Sequence, residues 1–167
     1  EGKELLVSPV FYALQAEKDT YKHIVLQGGE SAGKTVNALI HLACIANSDA
    51  GSVTTITSES LPHLKGGVIR DFELLVMPAF SSVIENYNKT DHVIKWSNGS
   101  ITEFKAFDDE MKARGPRRDY LYANEANAMA YDIFKQLDNR TRKQSIIDYN
   151  PSAAFWANEH LIGKYHT

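Results

Sequence analysis

Eight residues carry the clearest chemistry in this chain: Gly28, Gly29, Glu30, Ser31, Ala32, Gly33, Lys34 and Thr35. They match G-x-x-x-x-G-K-[ST], the spacing of a phosphate-binding loop. Glycines at its two ends let the backbone curl so that successive N–H groups point at phosphate oxygens. Lys34 then reaches the β- and γ-phosphates, and the Thr35 hydroxyl is placed to hold Mg²⁺. The expected ligand is a nucleoside triphosphate bound through all eight residues.

A second acidic element lies downstream in Asp119-Tyr120-Leu121-Tyr122-Ala123-Asn124-Glu125. An apolar strand ending in acid is expected beside the phosphate-loop strand, where a carboxylate can orient and deprotonate an attacking water. Glu125 is the candidate base. Asn124 stands where such strands normally carry Asp; its amide oxygen can accept from an Mg²⁺-bound water but brings no charge. A plainer role for Glu125 is to cap a helix starting near Ala126. Arg114, in the basic loop before this strand, can stabilise charge on a transferring phosphoryl group as arginine fingers do, or simply meet solvent or DNA phosphate. Asn150-Pro151-Ser152 closes the last strand, where Asn and Ser can sense a γ-phosphate through hydrogen bonds.

The elements that must position these groups follow from periodicity. His23–Gln27 is a short β-rich run and Thr35–Asn47 is helical, with Val36, Leu39, Ile40, Ala43 and Cys44 on one face, so the loop sits at a helix N-terminus. Ser52–Ser58 reads as a strand. A helical stretch runs from Leu61 to Phe80 with Leu64, Val68, Phe72, Leu75 and Val76 inward. Val93–Trp96 and Ile101–Phe104 flank Asn98-Gly99 as a hairpin. Tyr120–Ala123 and Ser145–Tyr149 are strands; Tyr131–Arg140 and Ala153–Ile162 are helices. Strands alternating with helices predict an α/β, three-layer P-loop NTPase fold (RecA-like/ASCE) with a mostly parallel central sheet and an added antiparallel hairpin.

Length and charge narrow the class further. At 167 residues the chain reads as one domain, 1–167. A net charge of −3 argues against a general nucleic-acid-coating protein but leaves local DNA contacts open. Basic runs at Lys112–Arg118 and Arg140–Lys143 fit a solvated face, with Arg117 and Arg118 read as surface or DNA-facing. No apolar run approaches the roughly 20 residues of a membrane span, so no membrane is expected. The single Cys44 forms no disulfide framework and fits a small buried core residue. The six histidines show no metal-ligand spacing.

Taken in order, Gly28–Thr35, Leu61-Pro62-His63-Leu64-Lys65-Gly66-Gly67, Lys112-Ala113-Arg114-Gly115, Asn124-Glu125-Ala126-Asn127 and Asp148-Tyr149-Asn150-Pro151-Ser152 resemble the large terminase subunits of tailed bacteriophages and prophages, from about residue 24 to 156. The resemblance implies an Mg²⁺-dependent ATPase that drives double-stranded DNA into a preformed capsid. Its implied cofactors are ATP and Mg²⁺. Its implied partners are double-stranded DNA, the portal protein, the small terminase subunit and further copies of itself in a ring, pentameric when packaging, in the host cell cytoplasm. Lys34 and Thr35 would bind phosphate and metal, with Asn124 contacting Mg²⁺ through water. Glu125 would be the base, Asn150, Pro151 and Ser152 would couple hydrolysis to movement, and Arg114 would act on a neighbouring subunit's ATP.

Four positions around the loop and the second strand depart from the family pattern. Ser31 and Ala32, preceded by the negative Glu30, replace an Arg-containing loop, and Ser58 stands where relatives often carry Arg at the end of the second strand. Complete large subunits also carry a C-terminal nuclease and further strands, so this chain reads as a truncated ATPase domain without nuclease, its sheet short of an edge strand. Two alternatives stay open: a helicase-like or repair ATPase, and a nucleotide-binding assembly module with little hydrolysis.

Overall fold

The computed structural model describes residues 7–28, 33–150 and 156–161. In chain order it contains α1 (Pro9–Glu17), β1 (His23–Gln27), α2 (Lys34–Ser48), β2 (Val53–Thr57), α3 (Leu61–Gly66), α4 (Val68–Asp71), β3 (Ile84–Asn88), β4 (Val93–Trp96), β5 (Ile101–Phe104), α5 (Glu110–Ala113), β6 (Arg118–Ala123), α6 (Tyr131–Asn139), β7 (Thr141–Tyr149) and α7 (Trp156–His160). The strands form one sheet in the order β1-β7-β6-β2-β5-β4-β3. β1, β7, β6, β2 and β5 run parallel, and β5, β4 and β3 form an antiparallel meander.

Side chains alternate across the parallel strands, as a sheet covered on both faces requires. Ile24, Leu26, Tyr120, Tyr122 and Ile146 join α1, α2, α3 and α4 in one core. Val25, Leu121, Ala123 and Ile147 join α5, α6 and α7 in the other. Three layers result, as the sequence pattern predicts.

Several expectations need correction. β6 is not next to β1; β7 lies between them and pairs with both. A one-residue-at-a-time reading cannot order parallel strands, because every crossover of this kind is compatible with the same periodicity. The stretch from Leu61 to Phe80 is not one helix. It breaks at Gly66-Gly67, where a Cβ on Gly67 would meet the His63 carbonyl at 3.0 Å, and then continues as α4, a π-helical turn over Phe72–Val76 and a 3₁₀ turn over Met77–Phe80. The wider turn swings Leu75 outward, so it is 53% exposed instead of inward-facing.

α1, absent from the sequence reading, covers a second side of α2. Gln15 meets the His41 ring at 2.8 Å, and Asn37 accepts from the Ser8 N–H at 3.0 Å. α2 is therefore buried nearly all round, including Asn37 and His41, while Cys44 is only half-buried. β3 and α5 are further elements without a periodic signal. β7 begins at Thr141, four residues before the expected strand, and takes the basic run into the sheet.

The other basic run, Lys112–Arg118, ends in a residue that is not on the surface. Arg118 is buried: its guanidinium donates to Thr55 Oγ1 at 2.9 Å and to the Leu137 carbonyl at 2.8 Å, beneath β2 and α6. Arg117 beside it is exposed. Arg118→Ala is expected to lower the unfolding free energy by about 2–3 kcal/mol, through buried partners left unpaired, and Arg117→Ala by no more than about 0.5 kcal/mol. Urea melts of the two variants check this contrast.

His41 gives a pH dependence. Burial, reinforced by the charge of Lys18, lowers its pKa to about 4. The unfolded chain binds this proton near pH 6.5 and the folded chain does not until about pH 4, so stability falls as pH drops through that window. The expected loss is about 3 kcal/mol. Denaturant midpoints across that range, with His41→Gln flattening the slope, are the measurement.

Candidate nucleotide site

Parallel pairing fixes where the site lies. In register, Gln27 stands opposite Tyr149, and Ala123 opposite both Thr57 and Ile147. The residues that follow, Gly28, Asn150, Asn124 and Ser58, leave the sheet along one edge, the usual place for ligands in open α/β sheets.

At that edge Gly33 takes a left-handed conformation (φ 68°) and starts α2. A Cβ there would be strained and would meet Asn37 Nδ2 at 3.1 Å. Asn37 in turn donates to the Gly33 carbonyl at 2.7 Å and accepts from Ser8, tying the loop exit to the start of α1. Lys34 Nζ donates to the Gly28 carbonyl, linking the start of α2 to the end of β1. Gly29, Glu30, Ser31 and Ala32 lie outside the described residues, as do Pro151 and Ser152. Asn150 is half-buried at the end of β7, across from the start of the loop.

Thr35 meets β6 directly. Asn124 Nδ2 lies 3.4 Å from Thr35 Oγ1 and 3.1 Å from Asp148 Oδ2, and the Asn124 N–H donates to the Thr57 carbonyl at 2.9 Å. Asp148 received no role from the sequence. It is buried and accepts from the Tyr122 hydroxyl, from Asn124 and, at 2.6 Å, from the Glu125 backbone N–H. Burial raises the Asp148 pKa above the usual carboxylate range, against those donors and the nearby Lys34 charge. Burial and the Asp148 charge push the Tyr122 phenol well above its ordinary value, so it remains a donor. A signal was present: an acid inside the apolar run Ser145–Tyr149 is costly unless paired.

Glu125 is exposed at the end of β6 and adopts φ 51°, ψ 53°, a left-handed conformation uncommon for a residue with a side chain. It precedes the 3₁₀ turn Ala126–Ala128, but its carboxylate makes no cap hydrogen bond. The Asp148 bond to its N–H holds the backbone in this turn. The side chain borders a cleft of about 420 Å³ shared with Asn124, Pro62, His63, Gly66 and Gly67. The break in the helical stretch at Gly66-Gly67 thus forms the wall facing Glu125.

Arg114 lies apart from this cluster. It follows α5 and pairs with Glu110 at 2.9 Å, and Glu110 also holds Gln136 in the second half of α6, toward the end of β6 opposite Glu125. The structure therefore brings together Gly28, Gly33, Lys34, Thr35, Asn124, Glu125 and Asn150, and not Arg114. Among the described residues no cluster of three acids, histidines or cysteines forms a ready cation site; the Thr35 hydroxyl and the Asn124 amide oxygen are the groups whose chemistry suits a hard cation such as Mg²⁺.

No protein-family model matches the sequence, and no curated protein does. Solved structures match strongly. The large terminase ATPase domain of Thermus phage P74-26 aligns with a TM-score of 0.66 at 18% identity, over 92% of this chain and 68% of that one. The large terminase of a thermophilic bacteriophage gives 0.65 at 18%, over 86% of this chain and 36% of that one; further crystals of it hold ADP or ATP-γ-S. The HK97 bacteriophage large terminase gives 0.67 at 12%, over 92% and 35%. This chain spans about a third of the length of those two terminases. Its fold is that of the terminase ATPase domain, a P-loop NTPase fold with a mostly parallel sheet.

The strain at position 125 is testable without any ligand. Glu125→Gly is expected to be more stable than Glu125→Ala by about 1 kcal/mol, since only glycine adopts this backbone at no steric cost. Thermal or urea unfolding of the pair measures it.

Proposed function

We propose that this chain is the ATPase domain of a phage DNA-packaging motor, hydrolysing ATP to drive double-stranded DNA through a portal into a procapsid. The observation that carries the reading is the convergence of Lys34, Thr35, Asn124 and Glu125 at one sheet edge, within a fold shared with terminase ATPase domains. Nucleotide seated in crystals of one such terminase supports ATP as the ligand.

In this reading the loop from Gly28 to Thr35 binds the phosphates, and Lys34 leaves the Gly28 carbonyl to meet the β- and γ-phosphates. Thr35 and Asn124 would hold Mg²⁺, which when bound neutralises phosphate charge and orients the γ-phosphoryl group. Glu125, uncapped and facing the cleft, accepts a proton from water as its oxygen bonds to the γ-phosphorus and the bond to the bridging oxygen of ADP breaks. Asn150 and Ser152 would sense the loss of the γ-phosphate and, with Pro151, pass it to movement.

Arg114 would serve a neighbouring copy in a ring, pentameric on the portal, with the small terminase subunit delivering DNA in the host cytoplasm. Its pairing with Glu110 is an exposed ion pair, weak enough to exchange for a phosphate. The exposed Arg117 and Arg142 are available for DNA phosphates, and so is Lys143 if it exchanges its ion pair with Asp49.

Steady-state ATPase activity against protein concentration tests this. Activity should rise more than linearly, with Glu125→Ala lowering it about 10²–10⁴-fold and Arg114→Ala about 10³-fold. Mixing those two variants should restore part of it, because one copy's Glu125 then meets another's Arg114. ATP bound through Lys34 but hydrolysed at no concentration would instead favour a nucleotide-binding assembly module.

A further inference from the structure

The residue before Glu125 poses an unresolved problem of charge. A triphosphate with its cation is normally faced by a carboxylate at this point, and Asn124 carries none. An acid within hydrogen-bonding reach of Asn124 lies on the neighbouring strand. Asp148 Oδ2 sits 3.1 Å from Asn124 Nδ2, which itself lies 3.4 Å from Thr35 Oγ1. Tyr122 and the Glu125 N–H hold the same carboxylate, and Lys34 is its nearby cation. Asn124 Nδ2 contacts Asp148, the Tyr122 hydroxyl and Thr35 Oγ1, so the amide nitrogen is the end that faces the acid.

We propose that Asp148, at the end of β7, supplies the negative charge of the Mg²⁺–nucleotide site in place of the residue before Glu125. The acid and the amide have exchanged strands: β6 contributes the neutral ligand and β7 the charge. This rests on the nucleotide reading above. The burial of Asp148 fits this role, because a carboxylate kept from water interacts strongly with a cation and must otherwise find several donors, which it does. A second task follows from the same contacts. By accepting from the Glu125 N–H at 2.6 Å, Asp148 couples the charge at the site to the backbone turn that aims the base.

An exchange of the two side chains tests the idea. Binding of a fluorescent, non-hydrolysable ATP analogue is measured with Mg²⁺ and with EDTA, and Mn²⁺ binding is followed by electron paramagnetic resonance. Asp148→Asn should lower the Mg²⁺-dependent gain in nucleotide affinity and the Mn²⁺ affinity about 10–100-fold. The double variant Asn124→Asp/Asp148→Asn, which restores one acid and one amide, should recover most of that loss. In the wild-type chain, ¹³C NMR of the Asp148 carboxyl carbon should shift when Mg²⁺ joins the bound analogue and broaden with Mn²⁺, more than that of Asp138.

An Asp148 carboxyl signal indifferent to metal overturns the proposal whatever the stability of the variants. So does a folded Asp148→Asn protein with wild-type metal dependence. Lys34→Ala separates the two levels. If it abolishes analogue binding while the Asp148 tests fail, only this inference falls; if it binds the analogue like wild type, the nucleotide reading falls and takes this one with it.

Discussion

Parallel pairing of β1 with β7 and of β7 with β6 is the constraint on which the rest of the structure depends. Parallel strands share a direction, so their C-terminal ends leave the sheet on the same side. That is why Gly28, Asn150 and Asn124, far apart in sequence, become neighbours. The intervening β7 matters most. It separates the end of β1 from β6 by one strand width, the gap spanned by Asn124 from one side and by Asp148 from within.

Around this edge, polar groups are satisfied by one another. Tyr122, Asn124, Asp148 and the Glu125 N–H form one buried network, and Thr35 touches it from the helix side. Such a network is rigid when complete and costly when any member is removed. Glu125 is the exception by design of the fold: its backbone is pinned in a left-handed turn while its carboxylate stays outside the network, facing the cleft. Rigidity ends where chemistry would begin.

Much of this was legible in the sequence. β1, α2, β2, the hairpin strands around Asn98-Gly99, β6, α6 and the end of β7 all follow from local spacing, because each buries a periodic apolar face. What escaped was non-local. The position of β7 between β1 and β6 is a property of crossovers, not of any strand. α1 has weak amphipathicity and reads as a tail until Asn37 and His41 prove to need partners. Arg118 hides in a basic run, and an irregularity between it and Tyr120 breaks the alternation of β6, so its guanidinium turns inward on the α6 side of the sheet. Asp148 was passed over beside the more familiar Asn-Pro turn. In both cases the overlooked signal was a charge at an inward position, which folded proteins keep only when something answers it.

The closeness of Asn124 and Asp148 also bears on how such a chain can change over generations. Replacing Asn124 by Asp alone places two acids about 3 Å apart in a buried site, where they repel; replacing Asp148 by Asn alone leaves none. Passage between the two arrangements by single substitutions therefore crosses an unfavourable intermediate in either order. A search pattern that insists on an acid before Glu125 passes over a chain like this one, in which the residue there is Asn124 and the acid beside it is on β7.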